Sequence, residues 1–345
     1  MILLFASSVQ AAPSGAWTNV TPAAINLDPS AFNNDNFGVQ DIVADPARAS
    51  DLYAFTCFQG VWKSVDYGQT WNKINTGSNG SSLDGGKLWT AAIDPNATRN
   101  PNTPPTLWTA TGDNAAGIWK STDGGASWTS YAVNNTTAVA ASGNAYYGND
   151  VYALDVDPGD AHHLIAGFHG YPGISESTDG GEHWITIAVP GGIGASLYPF
   201  FVPTGNPATT RATWLTQAQW DSNTNGIWRT ENAGAIWTHV APTYEHKHGS
   251  SQMYFAGSGV VYAPSVNPNG VVRSEDAGKT WTQVSTALAN AVYATPAWIF
   301  SEDSFASRDS YAPNPPQRTG IRFALECDEG ALFNDQRAET RRHHA

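Results

Sequence analysis

Two aspartates stand at matching places in this chain, Asp84 in SSLDGGK (81–87) and Asp150 in NAYYGND (144–150), each just ahead of an apolar run. Two carboxyl groups facing one cleft can hydrolyse a glycosidic bond, one protonating the leaving oxygen while the other activates water or attacks. Asp113 is the substitute member of that pair. A second chemistry lies close by. FHGYPG (168–173) carries His169 and Tyr171, and YEHKHGSS (244–251) carries Glu245, His246 and His248. A His or Tyr can remove the proton beside a uronate carboxylate while Lys87 or another His neutralises that carboxylate, which is lyase chemistry. Tyr146, Tyr147, Tyr171, Trp220 and Tyr244 offer ring faces for the C–H faces of sugars, and Asp221 completes the polar set. The expected catalytic groups are therefore Asp84, Asp150, Asp113, His169 and His248, with Tyr146, Tyr147, Tyr171, Trp220, Lys87 and Tyr244 for substrate. His246-x-His248 supplies only two metal ligands, too few for a site, so no metal and no cofactor is expected.

The elements that must hold these groups are announced by a phrase that recurs five times: GVWKSVDYGQTW from Gly60, GIWKSTDGGASW from Gly117, GISESTDGGEHW from Gly173, GIWRTENAGAIW from Gly226 and GVVRSEDAGKTW from Gly270. Its acidic or amide position falls at Asp66, Asp123, Asp179, Asn232 and Asp276, at intervals of 57, 56, 53 and 44 residues. Repeats of this period mark propellers or solenoids, in which each repeat is one supersecondary unit. Gly60–Ser64 alternates as a strand, a tight turn follows, and a second strand begins after Trp71. Ser64 and Asp66 can cap the turn's N–H groups, Gly68 can take a positive φ, and Trp71 can bury its ring between sheets. Asn232 replaces the acid in the fourth copy, which suits hydrogen bonding better than acid catalysis. These five positions are accordingly expected to be structural.

The pattern Gly-x-x-x-[Ser/Thr]-x-[Asp/Asn]-x-Gly-x-x-Trp resembles the Asp-box (BNR) repeat of sialidase-like β-propellers, a superfamily that includes xyloglucanases of the oligoxyloglucan reducing-end-specific cellobiohydrolase type. The resemblance covers roughly residues 17–285. It implies an all-β propeller of four-stranded blades, which the repeats of this chain number at six or seven, and it places the boxes away from the substrate face. It also implies a carbohydrate-active protein: a glycoside hydrolase first, a polysaccharide lyase or a non-catalytic glycan- or protein-binding propeller as alternatives. A true sialidase is disfavoured, because the family's Arg-Ile-Pro motif is missing near the start and the early arginines are few for its arginine triad.

Blade order is legible in the third repeat, where VYALDVDP (151–158), HHLIAGF (162–168), GISEST (173–178) and HWITIAV (183–189) are the first to fourth strands. Trp17–Val20 matches an outer-strand phrase and is expected to close the ring. Loops leading into the first strand, and those joining second to third, then share one face. The boxes and the turns Asp45-Pro46, Asp94-Pro95 and Asp157-Pro158 occupy the other. Residues 1–12 read as a signal-peptide remnant and 13–300 as the propeller, with Ala291–Phe300 as a further first strand. Asp328, 52 residues after Asp276, can be fitted as a sixth, degenerate box, and 301–345 reads as a degenerate last blade or an irregular tail.

Composition limits the partners. With 33 Gly, 21 Pro and 14% charged residues the chain fits many short strands and tight turns. A net charge of −13, with five of eleven arginines before residue 300, disfavours nucleic acid, anionic membranes and polyanionic glycans. A neutral polysaccharide or oligosaccharide is the expected partner of a secreted, monomeric protein. Cys57 and Cys327 permit at most one bridge.

Overall fold

Each repeated phrase folds into the third and fourth strands of one sheet, and the alternating runs before it supply the first two. The computed structural model describes residues 18–285 except 29, 35, 114–115, 188, 190–192, 194–195, 220–224, 246–252 and 267–268, together with the backbone of 322–326 and 331–335. Five antiparallel four-stranded sheets follow one another in sequence. Blade one is Val39–Ala44, Leu52–Thr56, Val61–Ser64 and Asn72–Lys73. Blade two is Gly86–Ile93, Leu107–Asp113, Gly117–Ser121 and Thr129–Tyr131. Blade three is Val151–Asp157, Asp160–Phe168, Ile174–Ser177 and Ile185–Ile187, in the strand order read from the sequence. Blade four is Ser196–Phe201, Trp214–Gln219, Gly226–Thr230 and Thr238–Ala241. Blade five is Tyr254–Gly257, Val260–Val266, Asn269–Ser274 and Thr282–Ser285.

The all-β propeller stands, but the expected six or seven four-stranded blades are corrected to five among the described residues. The physical reason is that each complete turn phrase organises one four-stranded sheet, and there are five such phrases. A further, three-stranded sheet joins Thr18–Asn19 to Ala331–Asp335 and Arg322–Glu326, so segments from the two ends of the chain pair antiparallel. The strand expected at Ala291–Phe300 lies outside the described residues, as do Cys327 and Asp328. Cys57 is buried.

The first strands of blades one to four pack successively against one another. Carboxylates stitch them together across the blades. Asp41 Oδ2 accepts from Ala91 N at 2.8 Å, and Asp155 Oδ2 accepts from Phe201 N at 2.8 Å. Three of these strands carry a one-residue irregularity near the end at which they begin, at Gln40, Trp89 and Tyr152. A bulge of this kind re-aims the side chain it carries.

The turns repeat one hydrogen-bond plan. In blade one Ser64 Oγ donates to Asp66 Oδ1 at 2.7 Å and accepts from Gly68 N at 2.8 Å, while Asp66 Oδ1 accepts from Thr70 N at 2.9 Å. Trp71 Nε1 then donates to Gly68 O at 3.0 Å. The same contacts recur around Asp123, Asp179 and Asp276, and Asn232 Oδ1 takes the Ile236 N–H at 2.8 Å in the fourth copy. Burial opposes the charge of Asp276, yet the bonds from Thr280, Ser274 and Lys279 outweigh it and hold the carboxyl at about 2. The Trp128 ring is buried against Tyr53 and Phe55 of the preceding blade, which is how the phrase cements neighbouring sheets.

One buried ionisable cluster sits at the opposite end of blade three from His169. His163 is fully buried against Phe201 and Trp214, with Nδ1 3.1 Å from Asp157 Oδ2 and Nε2 2.7 Å from Glu176 Oε1. Burial and Arg211 act against a charged ring, but the two carboxylates outweigh them and raise its pKa above 6.5. A raised pKa contributes stability that is fully present below about 6.5 and is lost as pH climbs through the folded-state value. The thermal midpoint is therefore expected to fall between neutral and alkaline pH, and His163→Gln is expected to flatten that dependence. A wild-type profile flat over this window would contradict the assignment.

Candidate functional site

The loop before the first strand of blade three carries Tyr146 and Tyr147 in a short 3₁₀ turn, Ala145–Gly148, in which Asn144 Oδ1 accepts from the Tyr146 N–H. It ends at Asp150, which is 2% exposed. The loop after the second strand begins at His169, whose N–H donates to Asp150 O. These two chain segments thereby place His169 Nδ1 2.9 Å from Asp150 Oδ2. An ionised carboxylate can only accept, so Nδ1 holds the proton and Nε2 points away from the carboxylate. The bulged Tyr152 stacks flat on the His169 ring at 4.1 Å and 10°, which fixes the ring's plane. Trp89 continues the run, 4.4 Å from Tyr152, and Phe37 lies 5.5 Å beyond it.

Among the described residues Asp150 Oδ1 is buried with no hydrogen-bond partner. It faces Gly112, where a β-carbon would stand 2.8 Å from this oxygen and 2.7 Å from Trp89 Nε1. Asp113 follows directly and pairs with Gly86 at the same end of its strand, so its backbone is close to Asp150. The side chain of Asp113 lies outside the described residues.

Asp84 departs from expectation. It sits in the 3₁₀ turn Gly80–Gly85, and its Oδ1 accepts from Lys73 Nζ at 2.8 Å and from Asn75 Nδ2 at 2.9 Å. Lys73 belongs to the fourth strand of blade one, so Asp84 faces the outer half of that blade and does not meet Asp150 across the axis. An equivalent place in the sequence did not give an equivalent direction, because a nearby ammonium captured the carboxylate. Lys87 also turns inward. It is 7% exposed, with Nζ 5.2–5.8 Å from the ring centroids of Phe37, Phe58 and Trp89.

Tyr147 packs on Tyr171 at 4.4 Å and on Tyr146 at 5.2 Å, giving a half-exposed aromatic cluster beside His169. Tyr244 instead packs into the core shared by blades four and five. Glu245 is half-buried. Trp220, Asp221, His246 and His248 lie outside the described residues. Among the described residues no group of three or more potential metal ligands converges. Sequence reading missed Trp89, Tyr152, Phe37 and Gly112. The only available signal was that Tyr152 follows the loop carboxylate by two residues on an inner strand.

Fold and site together define a β-propeller with a buried carboxylate paired to a half-buried imidazole at one end of its first strands. No family model matches the chain. Over 155 residues it is 29% identical to a xyloglucanase from Paenibacillus sp, a match covering 39% of this chain and 15% of that protein. The chain thus aligns with a small part of that relative's length. Among solved structures, the extracellular domain assigned to the hybrid two component system BT3049 of B. thetaiotaomicron aligns with a TM-score of 0.52 at 14% identity, covering 87% of this chain and 40% of that one. That is a likeness of fold. The GH74 enzyme of Niastella koreensis aligns with a TM-score of 0.47 at 23% identity, covering 72% of this chain and 38% of that one. No described helix is long and apolar enough to cross a membrane.

Proposed function

We propose that this chain is a secreted, carbohydrate-active propeller that hydrolyses a neutral β-glucan-type polysaccharide. The observation carrying this is the Asp150–His169 pair, 2.9 Å apart on the loop face opposite the Ser-x-Asp turns, which we read as Asp boxes. Asp150 fixes the imidazole so that Nε2 can take a proton from the attacking water, and Asp113 is the carboxyl group that protonates the leaving oxygen. Asp113 replaces Asp84 in this role because Asp84 is held by Lys73. The sequence relationship to a xyloglucanase supports the substrate class. Lyase chemistry is less well supported: Lys87, the cation needed to neutralise a uronate, is enclosed by three aromatic rings.

Product analysis is the test. Incubation with xyloglucan and other neutral β-glucans is expected to release new reducing ends with no gain in ultraviolet absorbance. Unsaturated, absorbing products from a uronate polymer would establish the lyase instead. Neither product from any of these substrates would leave a binding propeller as the function.

A further inference from the structure

Among the described residues, two of the most exposed aromatic side chains lie on the segment leading into blade one, on the same face as Asp150. Phe32 is 40% exposed and Phe37 is 47% exposed. Phe32 packs on Phe58 at 5.2 Å, and both backbones are left-handed, with φ of 54° and 59°. Bulky residues rarely adopt this region. The Lys87 ammonium lies 5.2 Å from the centroid of Phe37 and 5.8 Å from that of Phe58, a cation–π contact that ties the rings together. The cluster is continuous with the candidate site, because Phe37, Trp89, Tyr152 and His169 succeed one another at 5.5, 4.4 and 4.1 Å. Beyond His169 stands the tyrosine cluster of Tyr147 and Tyr171.

We infer that Phe32 and Phe37 form a second sugar-stacking subsite, so that one neutral, β-linked glycan runs from the tyrosines across Asp150–His169 to the phenylalanines. This rests on the proposed carbohydrate function and deepens it, since aromatic platforms on both sides of the reacting groups accept an internal stretch of polymer. The chemistry favours a glycan with equatorial linkages, whose ring faces carry axial C–H groups that lie flat on an aromatic ring. A polyanion is disfavoured by the net charge of −13.

Retention in gels containing xyloglucan or another neutral β-glucan tests the subsite separately from hydrolysis. The double variant Phe32→Ala/Phe37→Ala is expected to bind the polymer about tenfold more weakly, the loss of two stacking contacts, while short oligosaccharides are held as before. Phe37→Trp is expected to keep polymer binding. Ile236→Ala, 67% exposed in the turn on the opposite face, is expected to change nothing. Unaltered retention of both Phe37→Ala and the double variant would overturn the subsite, as would failure of the wild-type chain to bind any neutral glucan. Retention that falls in the variants of a chain releasing no reducing ends would remove the hydrolase and leave the subsite standing.

Discussion

Asp150→Asn is expected to lower the release of reducing ends by about 10²–10⁴-fold while leaving polymer binding intact. The carboxylate's Oδ2 accepts from His169 Nδ1 at 2.9 Å, so the aspartate decides which ring nitrogen carries the proton. An amide can present its N–H to Nδ1, and the proton then moves to Nε2, where a base is needed. The ring itself should stay in place, because Tyr152 remains stacked on it at 4.1 Å. Loss of rate with unchanged binding therefore separates a catalytic role from a packing one. A variant that turns over at the wild-type rate would remove Asp150 from the mechanism. The substitution Asp84→Asn is expected to have little effect on rate, because that carboxylate faces Lys73 and Asn75.

Gly167→Ala is expected to be among the most destabilising small substitutions, costing about 3 kcal/mol in a denaturant titration. Gly167 lies within the second strand of blade three, paired to Ala153 and Ile174. A β-carbon there would collide with the Leu197 carbonyl oxygen and lie 2.6 Å from Pro199 Cδ and 2.9 Å from Leu197 C. Leu197 and Pro199 belong to the first strand of blade four, so the obstacle is the neighbouring sheet's backbone. Relief requires the two blades to part, and a glycine inside a strand commonly marks such an approach. Gly85→Ala serves as the comparison, because among the described residues a β-carbon at that position meets nothing within 4 Å. Equal unfolding midpoints for the two variants would contradict this account of the blade interface.

Much of the fold was legible because the turn phrase is local. Ser64, Asp66, Gly68 and Trp71 act on one another within eight residues, and four further copies repeat the arrangement. The strand order inside each blade followed from alternation around those turns. The blade count did not, since the 52-residue spacing from Asp276 to Asp328 suggested another copy that four-stranded pairing does not accompany among the described residues. Within the site, Asp150 and His169 could be nominated as loop residues of one face, and Tyr147 with Tyr171 likewise. Their pairing could not be read, because they are 19 and 24 residues apart along the chain.

The sequence by itself determined the repeating unit, the face that carries its turns, and the residue types gathered on the other face. Those properties depend on neighbours a few positions away. Only the tertiary structure decided direction. Asp84 and Asp150 precede corresponding strands, yet one is drawn outward by Lys73 on a fourth strand and the other is buried against His169. Tertiary packing also turned Lys87 in among three rings and carried Trp89 and Tyr152 into one stack across two blades. Side-chain direction at a strand's end depends on bulges and on the charge of whichever segment packs beside it, and neither is set by the residue's own neighbours in sequence.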